Sequence, residues 1–328
     1  MSCRRFLDAI TAWGNSCPTA YGSGTSIACR ELMAHTDAWF PEAHLDAEKM
    51  AALALAGHTV LGFDVVAPLF SVCHEAAAMG CNVKWGGPEL MPESGKPIFQ
   101  TPEDIRIPAD LLTRPAGAVP LRAIGLLKKR LGDEAAVCGK VFGSWTQAYH
   151  YFGVERFLMG ALDDPDATRR ILDRLLPVTI AFAAAQIEAG ADCILLADHA
   201  TRDLCGPRMY EQYLVPLHRR LAAEIKAPVI LHICGNTSDR IGMIAETGLA
   251  CFHWDTKTGT PAEARRLAGA RLALMGGVSN YKLLRGNPAE IAADAALAAQ
   301  SGINVVGPEC AIPLTTPLGN LLAIVPRP

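Results

Sequence analysis

Histidine and cysteine are the side chains best suited to a soft metal ion. The stretch Pro228 to Asn236, P-V-I-L-H-I-C-G-N, places His232 and Cys234 one residue apart. A short β-branched apolar run leads into them. On a strand, side chains two apart share a face, so this spacing aims an imidazole and a thiolate at one point in space. That is half of a zinc site. Gly235 and Asn236 close the run and set the pair at the carboxyl end of its strand, where barrels and open α/β sheets carry their chemistry. The third ligand is expected at Cys310, which follows the apolar run Ile303 to Val306 and is introduced by Gly307-Pro308-Glu309. Zinc prefers tetrahedral nitrogen and sulfur donors, and a catalytic ion keeps one position open. One imidazole and two thiolates leave that position free. Two thiolates also balance the dication, so a substrate thiol held there loses its proton near neutral pH and stays electron-rich. The chemistry predicted is alkylation of sulfur. A structural zinc would call for a fourth protein ligand and usually a C-x-x-C knuckle, which the sequence lacks.

Further polar residues stand at the ends of apolar runs. Asp64, in Gly62-Phe63-Asp64, is a candidate to face the site as a strand-end carboxylate, with a loop-capping aspartate as the alternative. Asp198 and His199 end the run Cys193 to Ala197, and His253 and Asp255 bracket the end of another. Any of them can orient the metal histidine or a substrate, because a ligating imidazole normally donates its second N–H to a partner. Met275-Gly276-Gly277 ends a strand; its bare backbone either admits a bulky cofactor or makes a tight turn. Asp64, Asp198, Gly276 and Gly277 are therefore the cofactor-binding candidates. No G-x-G-x-x-G or Walker sequence occurs.

The elements that must position these residues alternate along the chain. Apolar runs at His58 to Val66, Ala135 to Phe142, Asp192 to Ala197, Pro228 to Ile233, Ala250 to Trp254, Arg271 to Gly276 and Ile303 to Val306 are separated by longer helical patterns. An eighth run, near Asn82 to Trp85, is weak. Helix starts recur as an N-cap followed by proline, at Thr101-Pro102, Asp164-Pro165, Thr260-Pro261, Asn287-Pro288 and Thr316-Pro317. Gly190, Gly248 and Gly302 mark helix ends. Successive βα units without a Ser-, Pro- or acid-rich linker predict one α/β domain, a (β/α)8 TIM barrel, with a doubly wound sheet as the second choice. Residues 1–56 are expected to form an N-terminal helical arm packed on the barrel, broken by Pro18, Gly22 and Gly24, and residues 57–328 the barrel itself. Trp85 to Pro108, rich in Pro and Gly, reads as a long loop over the mouth.

With 328 residues, half of them hydrophobic, the chain can bury a large core. Its formal net charge of -3 and dispersed Lys and Arg exclude a nucleic-acid footprint or a polybasic membrane patch. Met1 to Ala20 lacks the apolar core of a signal peptide, and apolar segments such as Ala51 to Ala56 are too short to span a bilayer. A cytoplasmic location is expected, with the eleven cysteines reduced and most of them, such as Cys73, Cys81, Cys138, Cys193 and Cys251, acting as small hydrophobes.

The motifs L-H-I-C-G-N at 231–236, M-G-G-V-S-N at 275–280 and G-P-E-C-A-I-P-L-T-T-P-L-G-N at 307–320 resemble the methylcobalamin:coenzyme M methyltransferases of the uroporphyrinogen decarboxylase superfamily. Upstream, F-P-E-A-H-L-D-A-E-K-M at 40–50, G-F-D at 62–64, E-A-A-A-M-G-C at 75–81 and G-S-W-T-Q-A-Y at 143–149 are similar to segments of the same enzymes. The resemblance implies a TIM barrel holding zinc through His232, Cys234 and Cys310. It also implies a thiol acceptor such as coenzyme M, and a methylcorrinoid, free or on a corrinoid protein, as donor. Uroporphyrinogen decarboxylases share the strand-end aspartate that Asp64 resembles, but carry a G-H-G type segment where this chain has Pro308-Glu309-Cys310. Other readings are a corrinoid-methylating enzyme acting on a methoxy or methylamine donor, a uroporphyrinogen decarboxylase-like tetrapyrrole enzyme, and a non-catalytic corrinoid-protein or tetrapyrrole binder with structural zinc. Arg202, Lys257 and Arg285 fall near enough to strand ends to meet a sulfonate, or are solvated surface charges.

Overall fold

The apolar runs become parallel strands in the computed structural model, which describes residues 2–11 and 19–327. Pro18, read above as a break in the arm, lies outside the described residues. Eight strands make one sheet: β1 (Ala20–Tyr21), β2 (Val65–Val66), β3 (Ala136–Phe142), β4 (Cys193–Ala197), β5 (Val229–Ile233), β6 (Cys251–Trp254), β7 (Ala273–Val278) and β8 (Val305–Pro308). Neighbours from β2 and β3 round to β8 pair in parallel, and β8 pairs with β1. A backbone bond, Asp64 N–H to the Tyr21 carbonyl at 2.8 Å, spans the remaining gap between β1 and β2. The sheet is thus a nearly closed (β/α)8 barrel.

Alternation divides its side chains between two cores. Ala136, Cys138, Cys193, Leu195, Ile230, Cys251, Ala273, Met275 and Val305 fill the lumen, while Val137, Val141, Ile194, Leu196, Leu231, Ile233, Phe252 and Leu274 face the surrounding helices. The N-terminal helix Ser2–Thr11 packs Cys3, Phe6, Ala9 and Ile10 against the lumen residues and closes its lower end. The expected N-caps are present at Asp164, Thr260 and Asn287, heading the helices Pro165–Glu188, Pro261–Ala268 and Pro288–Gln300. Thr101 heads only a short 3-10 turn, and the helix after Thr316 begins two residues later, at Leu318.

Three expectations about the amino-terminal third are corrected. The first barrel strand lies at Ala20–Tyr21, inside residues 1–56, so the boundary at 56 does not separate an arm from the barrel. Most of the run His58 to Val66 is the end of the helix Ala47–Thr59 and its exit turn, leaving only Val65 and Val66 as strand. The weak run near Asn82 is not a barrel strand. Val83–Lys84 pairs antiparallel with Glu93–Ser94 as a ribbon whose Met91 and Ser94 reach the barrel mouth.

Candidate metal centre

His232 and Cys234 stand at the end of β5 and just beyond it, and Cys310 lies two residues after β8. Their ligand atoms converge. His232 Nε2 is 3.0 Å from Cys234 Sγ and 3.3 Å from Cys310 Sγ, and the two sulfurs are 3.1 Å apart. Among the described residues these three form the group able to hold a metal ion. Zinc at its usual bond lengths separates such donors by about 3.5–3.8 Å, so small side-chain rotations open this triangle enough to admit the ion. The donor set fits zinc: one imidazole nitrogen, two cysteine sulfurs and, among the described residues, no fourth protein ligand.

Neighbouring groups fix the orientation of each ligand. His232 Nδ1–H donates to the His253 carbonyl at 3.2 Å, which leaves Nε2 as the lone-pair donor. His253 in turn donates from Nε2 to the Pro308 carbonyl at 2.8 Å; burial holds its imidazole well below the usual pKa, so it is neutral. Asp255 accepts the Gly235 N–H at 2.8 Å and so sets the turn after Cys234. Glu309 accepts from Thr256 N–H at 2.9 Å and Asn280 N–H at 2.7 Å, tying the segment bearing Cys310 to the loops after β6 and β7. The two cysteines are hydrogen-bonded to each other. Their mutual hydrogen bond holds the Cys310 thiol well below its ordinary range and pushes Cys234 well up, with burial adding to the rise.

The ligands line one wall of a cavity of about 400 Å³ that also touches Thr25, Phe70, Lys140, Phe142, Tyr149, Leu195 and Asp198. Asp198 lines the same cavity as the three converging side chains. Its carboxylate is occupied, accepting from Thr146 N–H at 2.9 Å and contacting His218 Nε2 at 3.2 Å. His199 and Ala311 line the same cavity.

Asp64 is elsewhere. It precedes β2 at the lower end of the barrel, where Arg5 Nε donates to it at 3.1 Å and the Tyr21 N–H at 2.9 Å. The strand it was expected to end starts one residue after it, so it faces the N-terminal helix. Gly276 and Gly277 are also not among the residues lining the cavity. Their bare backbone serves the protein's own packing: a Cβ on Gly276 would meet the Trp254 carbonyl at 2.8 Å, and one on Gly277 would meet Ala298 Cβ at 2.8 Å. Arg202, Lys257 and Arg285 are exposed on the surface. The cation at the cavity is Lys140, which the sequence reading passed over inside an apolar run; so was Glu309, although a lone charge in such a run is the available signal.

The uroporphyrinogen decarboxylase (URO-D) family model matches residues 17–327. The chain belongs to this family. Within it, the methylated-thiol–coenzyme M methyltransferase of Methanosarcina mazei is 33% identical over 298 residues, covering 90% of this chain and 80% of the relative. The methylcobamide:CoM methyltransferase MtaA of Methanosarcina barkeri is 32% identical over 306 residues, covering 92% and 90%. A solved methyltransferase from Methanosarcina mazei superposes with a TM-score of 0.94 at 32% identity, covering 98% of this chain and 96% of that one. A uroporphyrinogen decarboxylase of Coxiella burnetii matches at 30% over 222 residues, 62% of this chain and 60% of the relative. The methyltransferase relatives thus match along more of the chain than the decarboxylase does.

Proposed function

We propose that this chain is a methyltransferase that moves a methyl group from a methylated corrinoid to the sulfur of a small thiol, of which coenzyme M is the example named for its relatives. The convergence of His232 Nε2, Cys234 Sγ and Cys310 Sγ at the wall of a cavity carries this reading. Zinc, when bound by these three residues, supplies the Lewis acidity that keeps an acceptor sulfur ionised at neutral pH. The residues around it do the rest. His253 holds His232 in the tautomer that presents Nε2. Asp255 and Glu309 brace the two cysteine segments from neighbouring loops. Phe70, Phe142, Tyr149 and Leu195 give the cavity largely apolar walls that exclude water and leave the incoming sulfur unsolvated. In the reaction the acceptor sulfur forms a bond to the methyl carbon while the carbon–cobalt bond breaks, its electron pair remaining on cobalt.

A corrinoid protein is the partner this reading calls for. No helix among the described residues is long and apolar enough to cross a membrane. Two thiolates favour sulfur alkylation over decarboxylation of a tetrapyrrole. The Methanosarcina mazei relative named for methylated thiols favours a second reading, in which the same site accepts its methyl group from a thioether. Turnover of free methylcobalamin with a panel of thiols, followed at the cobalt absorption, tests the first. Cobalt(I) formed only when thiol is added supports it; no thiol-dependent change with metal-replete protein rules it out.

A further inference from the structure

One charged side chain in the cavity has no part in holding the metal. On β3, Ala136 and Cys138 point into the lumen, and strand alternation carries Lys140 and Phe142 to the same side, higher up. Lys140 is only 4% exposed and lines the cavity that His232, Cys234 and Cys310 share. Its backbone is tied down, with N–H donating to Gln186 Oε1 at 2.7 Å and C=O accepting from Gln186 Nε2 at 2.9 Å. Its ammonium has no ion-pair partner among the described residues. The groups whose charge it feels are Cys138, Cys310, Cys234 and Glu75, and burial still lowers its pKa to about 8.

Neither carboxyl nearby neutralises it. Glu75 forms no ion pair with it: its two oxygens accept from the Phe142 N–H at 3.0 Å and from Gln147 Nε2 at 3.1 Å, and burial pushes its carboxyl up to about 8. Asp198, on the cavity wall, is already held by Thr146 and His218. Burying an unpaired ammonium is strongly unfavourable, and the sequence places one beside the metal ligands nonetheless. A cavity so made is complementary to an anion. Its apolar walls suit a short aliphatic linker between that anion and a sulfur.

Resting on the thiol-alkylation reading above, we propose that Lys140 selects the acceptor by receiving its anionic headgroup, a sulfonate or carboxylate, while the acceptor's sulfur meets His232, Cys234 and Cys310. Lys140 thereby sets which thiol is methylated and at what concentration.

The test compares wild type with Lys140→Met and Lys140→Arg, all zinc-loaded, using methylcobalamin with 2-mercaptoethanesulfonate, 3-mercaptopropionate and neutral 2-mercaptoethanol. The ratio of kcat/KM for each anionic thiol to that for the neutral one is expected to fall about 10- to 100-fold in Lys140→Met, mainly through KM, and to be partly restored in Lys140→Arg. The larger fall identifies sulfonate or carboxylate as the natural headgroup. Equal losses on all three thiols would overturn the proposal. Calorimetry with ethanesulfonate and propionate, which carry no thiol, reads the same site without turnover. Wild type is expected to bind both anions and Lys140→Met to lose that binding; no binding to wild type, a result that needs no variant to fold, or unchanged binding in the variant overturns the proposal. If wild type binds these anions but methylates no thiol, the methyltransferase reading fails and the anion site stands.

Discussion

Replacing Lys140 by methionine keeps the length and most of the apolar stem of the side chain and removes its charge, so the cost of burying that charge can be measured directly. Burial lowers the Lys140 pKa from 10.5 to about 8. That gap corresponds to about 3 kcal/mol of folding stability lost while the lysine is protonated in both states. Below pH 8 both folded and unfolded chains carry the charge and the full cost applies. Between pH 8 and 10.5 the folded chain gives up its proton first, and the cost shrinks to nothing. Lys140→Met is therefore expected to be more stable than wild type by up to about 3 kcal/mol at pH 7, raising Tm by about 4 °C for a chain of this length, with the advantage fading towards pH 10.5. Urea unfolding of chelator-treated wild type and variant at pH 7, 9 and 10.5 measures it. Adding ethanesulfonate should narrow the difference at pH 7 by stabilising wild type alone. A variant less stable than wild type at pH 7, or a difference that does not change with pH, refutes the reasoning.

Cys310→Ala and His232→Ala should each reduce bound zinc, read by metal analysis, at least 10-fold and thiol methylation more than 100-fold, with the far-ultraviolet circular dichroism unchanged. Glu309→Gln turns an amide N–H towards the Thr256 and Asn280 donors, and a zinc competition assay should show metal affinity falling about 10-fold or more. Gly276→Ala forces a side chain onto a backbone at φ 121° and against the Trp254 carbonyl. It should cost about 2–3 kcal/mol in urea unfolding and weaken zinc retention as well.

The last six barrel strands were legible because each is a run of four or more buried residues with a helix cap on its flank. β3 to β8 fall within a few residues of the apolar runs that announce them. β1 and β2 were not, for a physical reason: two residues each are too few to show alternation, and both rely on neighbours and on Asp64 for their place. The ligand pair at His232 and Cys234 was visible as local spacing. Cys310 was visible only as a cysteine after a strand, since what brings it to β5 is barrel closure. Asp64 misled because an aspartate just before a strand and one just after it look alike when the strand is two residues long. Lys140 and Glu309 were hidden because their neighbours mark the segment as buried, and burial is read as apolar.

The two strands that carry the proposed metal ligands are not neighbours, since β6 and β7 lie between β5 and β8. His253 links across that interval. Its carbonyl on β6 accepts from His232 on β5, and its ring reaches over β7 to the Pro308 carbonyl on β8, two residues before Cys310. The residue of β7 beneath that ring is Gly276, where a Cβ would stand 3.4 Å from His253 Cδ2 and 3.7 Å from Glu309 Cα. A side chain there would press on both the histidine that orients one ligand and the segment that carries another. The M-G-G motif thus contributes to the proposed metal site by leaving room: the absence of an atom at Gly276 lets one imidazole set the separation of candidate ligands that come from strands three apart. A substitution at Gly276 should consequently weaken zinc binding through His253, even though Gly276 is none of the three converging residues.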